Sequence, residues 1–369
     1  MMKLLRFVKK NTVLCIAFLL AVGTSFFVPP DKTYFTYFDW KTLSCLFLTL
    51  AVICALKNIK FFTILARKIV MLTANLRLLT LALVYITFIG SMLIANDMAL
   101  ITFLPLGFFA LQVTKNEKYM AYVFILQNIS ANLGGMLTPF GNPQNLYLYS
   151  YFHIETGEFT SIMLAPFLLA ICMLTLACLI LKPIPLAINK EFGETLKRKK
   201  AILYLILFAF SIAIVFRLIP YWVGLIVIPL TLYFVDRRAL GDVDYPLLLT
   251  FVMFFIFSGN LSRIEAVHSL LSGLLARNTL LVSVASCQII SNVPTAILLS
   301  KFTENYRALL LGVNIGGTGT LISSLASLIT FSEYRLLYPG HAKHYFLLFT
   351  ILNVIFLAVM TAFAYFVLI

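Results

Sequence analysis

Asp97 is the one acidic residue of this sequence that falls deep inside a long apolar run, and it follows directly on Asn96. A charge in hydrocarbon is costly enough to mark an ion pathway or a partnered site by default. Asp97 can bind Na⁺, carry a proton, pair with a buried arginine, or sit as a neutral, hydrogen-bonded cap. Three more polar clusters interrupt apolar runs: Thr138-Pro139-Phe140-Gly141-Asn142-Pro143-Gln144-Asn145, Ser291-Asn292-Val293-Pro294-Thr295, and Gly316-Gly317-Thr318-Gly319-Thr320 with Ser323-Ser324. Gly and Pro break a helix and free backbone N–H and C=O groups. In a bilayer such groups survive only where they are buried in protein or line a polar cavity. A half-helix N-terminus presents a positive dipole end to an anion, while unwound carbonyls and Asn, Ser or Thr oxygens suit Na⁺. The candidates therefore divide in two. Asn142, Pro143, Asn145, Asn292, Thr295, Thr318, Ser323 and Ser324 are expected to bind a small anionic substrate. Asn96, Asp97, Thr138, Gly141, Ser291, Gly317 and Thr320 are expected to hold a coupling ion, Na⁺ or H⁺, with no other cofactor and no metal beyond Na⁺.

Elements that place polar groups mid-span must themselves span. Of 369 residues, 62% are hydrophobic and 11% charged, against about 25% charged in soluble domains. The bilayer is the expected solvent and partner, and at about 20 apolar residues per span the length allows about ten membrane segments. The expected fold is all-α, one membrane domain over 1–369. The net charge of +14 sits at segment ends, which points to the anionic cytoplasmic leaflet and not to nucleic acid. Six cysteines without a CxxC pair read as small buried hydrophobes.

Charge gives sidedness. Lys3, Arg6, Lys9 and Lys10 place the N-terminus in the cytoplasm, and 11–28 reads as a retained first span, not a cleaved signal. Residues 43–56 return to a basic stretch holding Lys57, Lys60, Arg67, Lys68 and Arg77. The run 78–113, broken at Ala95-Asn96-Asp97, is too long for one helix and too short for two spans with a loop. It predicts a re-entrant hairpin. Residues 119–151 and 162–181 then cross to the most basic loop, 182–200, and 202–218 with 222–234 form a pair. From 247 onward the order repeats: a span, an interfacial stretch at 263–277, a second interrupted run at 280–299 whose turn Pro294 is expected to fix, and crossings at 309–328 and 345–369. This leaves the C-terminus outside a cell inner membrane.

The two halves also match by residue. Asn132-Leu-Gly-Gly-Met-Leu-Thr aligns without gaps on Asn314-Ile-Gly-Gly-Thr-Gly-Thr, and Gly141-Asn142 falls opposite Ser323-Ser324. Because the topology runs the copies in opposite directions, the pattern is that of inverted-repeat transporters. The repeats cover roughly 39–181 and 202–369, each with a re-entrant hairpin and a discontinuous helix.

At these motifs the chain resembles the ion transporter superfamily: arsenite permeases, NhaD-type Na⁺/H⁺ antiporters, citrate-metal transporters and divalent-anion:sodium symporters. Ala95-Asn96-Asp97 is similar to the arsenite-permease "AND" hairpin, and 138–145 to the family's "TPIGNPPN" break. Ser291-Asn292-Val293-Pro294-Thr295 and Gly312-Val313-Asn314-Ile315-Gly316-Gly317 look like its second hairpin and break, nearest the YbiR-like anion permease branch. The resemblance implies a substrate between two hairpin tips and elevator-type movement. The symporter branch carries Ser-Asn-Thr in both hairpins; here Ala-Asn-Asp stands in one, which fits a proton or a single cation. The expected function is secondary transport of a carboxylate or inorganic oxyanion, with arsenite/antimonite-type efflux or Na⁺/H⁺ antiport as the alternative. A homodimer is compatible with it.

Other classes lack their signatures. There is no HExxH and no Walker A loop, so neither a zinc protease nor an ATP-driven pump is expected. His341 and His344 in HAKH read as a solvated loop. A channel filter would need symmetry between subunits, not two repeats in one chain.

Overall fold

The computed structural model describes residues 11–186 and 196–369. Lys3, Arg6, Lys9 and Lys10, and much of the basic loop, lie outside the described residues. The described chain is helical, and seven of its helices are long and apolar enough to cross a membrane, with shorter apolar helices at Thr12–Ser25, Tyr221–Val235 and Tyr306–Ile315.

Two bundles of helices make up the core. In the first, α1 (Thr12–Ser25) lies along α11 (Tyr245–Ser262), while α9 (Arg198–Val215) and α10 (Tyr221–Val235) pack on α2 (Trp40–Asn58). Start signals are local. Asp39 accepts a hydrogen bond from Thr42 N at 3.0 Å and Asp244 one from Leu247 N at 3.0 Å, each tying down a first-turn N–H that has no partner within its helix.

The second bundle holds the interrupted elements. α4 (Leu76–Ile94) and α5 (Asn96–Val113) form the first hairpin, packed on α6 (Met120–Gly134). α6 is followed by a break and by α7 (Pro143–Tyr151), and then by α8 (Thr156–Leu179). The second half follows the same plan. α12 (Glu265–Ile290) is bent at Asn278, and its distal part forms the second hairpin with α13 (Asn292–Leu299). α14 (Tyr306–Ile315), a second break, α15 (Leu325–Leu337) and α16 (Ala342–Phe363) complete it. The bend in α12 corresponds to the start of α4 after the helix α3 (Phe61–Val70). Asn278 accepts from Leu281 N at 2.8 Å, as Asn75 does from Leu78 N at 3.0 Å.

Three expectations are corrected. Pro294 does not make the second turn; it lies in the first turn of α13, where a missing N–H costs nothing. Cys172 is exposed and Cys15 half-buried, whereas Cys45, Cys54, Cys178 and Cys287 are buried. His344 belongs to α16 and not to a loop.

Candidate functional site

Each hairpin turns on a single residue with glycine-like backbone. Ala95 has φ 66° and ψ 153°, Ser291 φ 75° and ψ 159°. Side chains other than glycine's are rarely found there, at a cost of order 1–3 kcal/mol. The next residue is asparagine in both cases, and its Oδ1 accepts from the following N–H: Asn96 from Asp97 N at 3.1 Å, Asn292 from Val293 N at 2.9 Å. The two tips are thus built to one plan, although only Asn is shared between Ala-Asn-Asp and Ser-Asn-Val.

The breaks match as closely. In the first, Gly141 N donates to Thr138 O at 3.2 Å, and Asn142 caps α7 by accepting from Asn145 N at 2.9 Å. In the second, Ser323 N donates to Thr320 O at 3.2 Å, and Ser324 caps α15 by accepting from Ser327 N at 3.2 Å. Each break is fastened to an arm of its own hairpin at the same place: Thr138 Oγ1 donates to Met92 O at 2.9 Å, Thr320 Oγ1 to Gln288 O at 3.1 Å. Close approach is what the paired glycines supply. A Cβ on Gly134 would run into the Phe88 carbonyl and the Ser91 hydroxyl, and one on Gly316 would meet the Cys287 side chain.

Asparagines join the halves. Asn314 Oδ1 accepts from Asn142 Nδ2 at 3.1 Å, and its Nδ2 donates to Asn145 Oδ1 at 2.6 Å. Asn128 Nδ2 donates to Ser327 Oγ at 3.3 Å across the halves, and within the first half Asn96 Nδ2 donates to Asn132 Oδ1 at 3.3 Å. All of these asparagines are buried. The α7 cap, Asn142, thus bonds the end of α14, the first turn of α15 bonds α6 through Ser327, and Ser323, just before α15, accepts from Asn292 N at the second tip.

Of the residues expected at the site, Asn96, Gly141, Asn142, Pro143, Asn145, Asn292, Gly317, Ser323 and Ser324 are buried in this cluster. Thr138 and Ser291 are half-buried at its edge. Asp97 is half-buried in the first turn of α5, and its Oδ1 is enclosed without a hydrogen-bond partner among the described residues. Thr318 is buried with its hydroxyl on Ile315 O at 2.6 Å. Two residues stand apart. Thr295 donates to Ser291 O at 2.7 Å inside the second hairpin, and Thr320 is exposed.

The internal match displayed Asn132 and Asn314 without their role, and Asn128 went unnoticed. So did Gln288. Its Nε2 donates to Gly316 O at 2.9 Å and Thr318 O at 3.1 Å, and its Oε1 accepts from Thr320 N at 2.9 Å. In the first break the same work falls to Asn145 Nδ2, which donates to the carbonyls of Gly135, Met136 and Thr138 at 3.2, 3.1 and 3.2 Å. Ser327, opposite Asn145, is too short to reach that far. A lone Gln in an apolar run was the available signal.

Among the described residues no cluster of His, Cys, Asp and Glu is placed to hold a metal ion. A separate cavity of about 430 Å³ between α12 and α16 is apolar, lined by residues such as Leu281, Val284, Val354 and Leu357.

Long apolar helices with polar breaks gathered around two asparagine tips describe a multi-pass membrane transporter, and the comparisons with known proteins agree. The citrate transporter family, CitMHS, matches residues 2–306, and the chain belongs to this family. It is 34% identical over 295 residues to an uncharacterized transporter of Methanocaldococcus jannaschii, MJ0456, covering 79% of this chain and 80% of that one. It is 31% identical over 320 residues to the inner membrane protein YbiR of Escherichia coli, covering 84% of each.

Proposed function

We propose that the chain is a secondary transporter of a small anion, a carboxylate or inorganic oxyanion, driven by a Na⁺ or H⁺ gradient across the cell inner membrane. The observation that carries this reading is the matched pair of capped half-helix N-termini, at Asn142, which bonds Asn314 of the second half, and at Ser324, whose neighbour Ser323 bonds the second asparagine tip. Such N-termini favour an anion electrostatically. The unpartnered Oδ1 of Asp97 is the natural acceptor for the coupling cation or proton, so the first tip serves coupling. The halves, roughly 39–181 and 202–369, are inverted in the membrane, with the N-terminus cytoplasmic and the C-terminus external. The second bundle moves against the first in an elevator-type exchange of access.

The lone acid also favours a second reading, Na⁺/H⁺ antiport without an anion. Reconstituted vesicles separate the two. Citrate, named in the family's description, succinate, sulfate, phosphate and arsenite are offered under an imposed Na⁺ or pH gradient. Accumulation of one anion that follows the gradient, and loses that dependence in Asp97→Asn, is the expected result. Cation exchange with no anion moved would establish the second reading. Anion flux indifferent to both gradients would overturn the coupling.

A further inference from the structure

The loop between α9 and α10 reaches out of the first bundle and grips α7 at both ends. At one end, Arg217 Nη2 donates to Tyr149 O at 2.6 Å and Nη1 to His153 O at 3.3 Å. Its guanidinium lies 4.5 Å from the centre of the Tyr149 ring. At the other end, the Phe216 ring meets Phe140 edge-on at 5.8 Å, and Phe140 belongs to the first break. Two adjacent loop residues therefore hold the half-helix whose N-terminus helps form the site.

Several features set this contact apart from ordinary packing. α9 and α10 pack on α2, whereas α7 packs on α13 and α14 as well as α2, so the loop bridges the two bundles. Arg217 has no carboxylate within ion-pair distance among the described residues. The terminal carbonyls of α7 answer its charge instead, the arrangement a helix C-terminus favours. Arg217 is the left-handed residue (φ 63°) that closes α9, with Leu218 N donating to Ala213 O at 3.0 Å, and its Nε is buried without a hydrogen-bond partner among the described residues. Among the described residues no arginine from another element bonds the terminal carbonyls of the matched half-helix α15, whose own Arg335 lies 5.9 Å over Phe331. A cation that bridges the two bundles through carbonyls alone, with one donor unsatisfied, is suited to letting go.

We propose that Arg217 and Phe216 form a latch that holds α7, and with it the first break, in the conformation seen here, and that the latch opens when the site changes sides. The latch rests on the alternating-access reading given above. Arg217 acts on the site through α7 and is a positioning residue, not a ligand of the transported anion.

The test uses the full chain in oriented vesicles, with the six native cysteines replaced and a reporter cysteine at Ile322, 54% exposed in this conformation. Labelling by a membrane-impermeant maleimide is measured from each face. Arg217→Ala and Phe216→Ala are expected to slow labelling from the face that labels the wild type faster and speed it from the other. The combined shift should be about tenfold, as befits the loss of a charge-assisted hydrogen bond. Arg217→Lys, which keeps the charge but not the two-pronged contact, should fall between. In a second protein, cysteines at Phe140 and Phe216 replace the ring pair, and oxidising them should abolish labelling from the other face. If the wild type is labelled from both faces while the variants match it and the cross-linked protein still exchanges, the latch is refuted and alternating access stands. If no variant, wild type included, is ever labelled from the second face, alternating access fails and the latch falls with it. A purely structural role would lower yield or melting temperature without changing the ratio between faces.

Discussion

Asn314→Ala should be far more damaging than Asn132→Ala, although the two residues occupy the same place in matched segments. Asn314 is bonded across the halves on both sides of its amide, to Asn142 at 3.1 Å and to Asn145 at 2.6 Å. Truncation strands the Asn142 amide donor and the Asn145 carbonyl in a buried setting. At about 1–3 kcal/mol for each stranded group, the loss is about 2–6 kcal/mol. Asn132 receives a single side-chain bond, from Asn96 of its own half at 3.3 Å, so its truncation should cost about 1–3 kcal/mol. Exchange of partners within membrane proteins pulls such values toward the lower end, but it acts on both variants alike and leaves their order intact. Unfolding in mixed micelles by SDS titration, followed by far-UV circular dichroism, reads the difference. A double-mutant cycle with Asn142→Ala should show coupling between 314 and 142 and none between 132 and 142. Equal losses for the two single variants, or strict additivity with Asn142→Ala, would refute the view that Asn314 joins the halves.

Two further outcomes follow from particular residues. Ala95→Gly releases a backbone held at φ 66°; the relief, of order 1–3 kcal/mol, is larger than the added chain entropy of about 0.5–1 kcal/mol, so it should raise the SDS midpoint, and a lowered midpoint would show that the first tip is not strained. On the surface, Asp31 is hydrogen-bonded to Arg263 at 2.8 Å, which holds its carboxyl down from 3.8 to about 2. The contact is therefore complete above the ordinary carboxylate value and is lost as pH falls toward about 2. Pepsin should begin to cut the segment 26–39 across that window, and should cut it at higher pH in Arg263→Gln.

The parts of the site that were legible in the sequence are those whose residue types break helices. Gly134-Gly135, Gly141-Asn142-Pro143 and Gly316-Gly317 announce backbone interruptions wherever they stand, because their chemistry is local. The hairpin tips are legible for the same reason, but the sequence points to Pro294 for a turn that Ser291 makes, because proline suits a turn and the first turn of a helix equally. Relations between distant segments could not be read. That Asn314 reaches Asn142 depends on how α14 crosses α7, and that Gln288 takes over the work of Asn145 depends on Ser327 being too short. Polar side chains in apolar helices announce that they need a partner, but not which one.

The two halves share a backbone plan and differ in how tightly each hairpin is sewn to its break. At the second, Gln288 binds the carbonyls of Gly316 and Thr318, Thr320 binds Gln288 in return, and Ser323 O accepts from Asn292 N at 2.9 Å and Ser291 Oγ at 3.3 Å. At the first, the break is stapled from within by Asn145, and the hairpin is attached through Thr138 to Met92 O and through Asn96 to Asn132. Opening the second tip thus requires breaking more bonds than opening the first, and the first is the one that carries Asp97. Amide hydrogen exchange, which reports local opening, should be faster at 96–98 than at 292–293. Gln288→Met places at the second hairpin the residue type that stands at the matched position of the first, Met92. By removing at least one bond's worth of stabilisation it should speed exchange at 292–293 about tenfold, and leave 96–98 unchanged. If the second tip already exchanges as fast as the first in the wild type, the extra bonds do not set its mobility, and the asymmetry must lie in the side chains at the tips themselves.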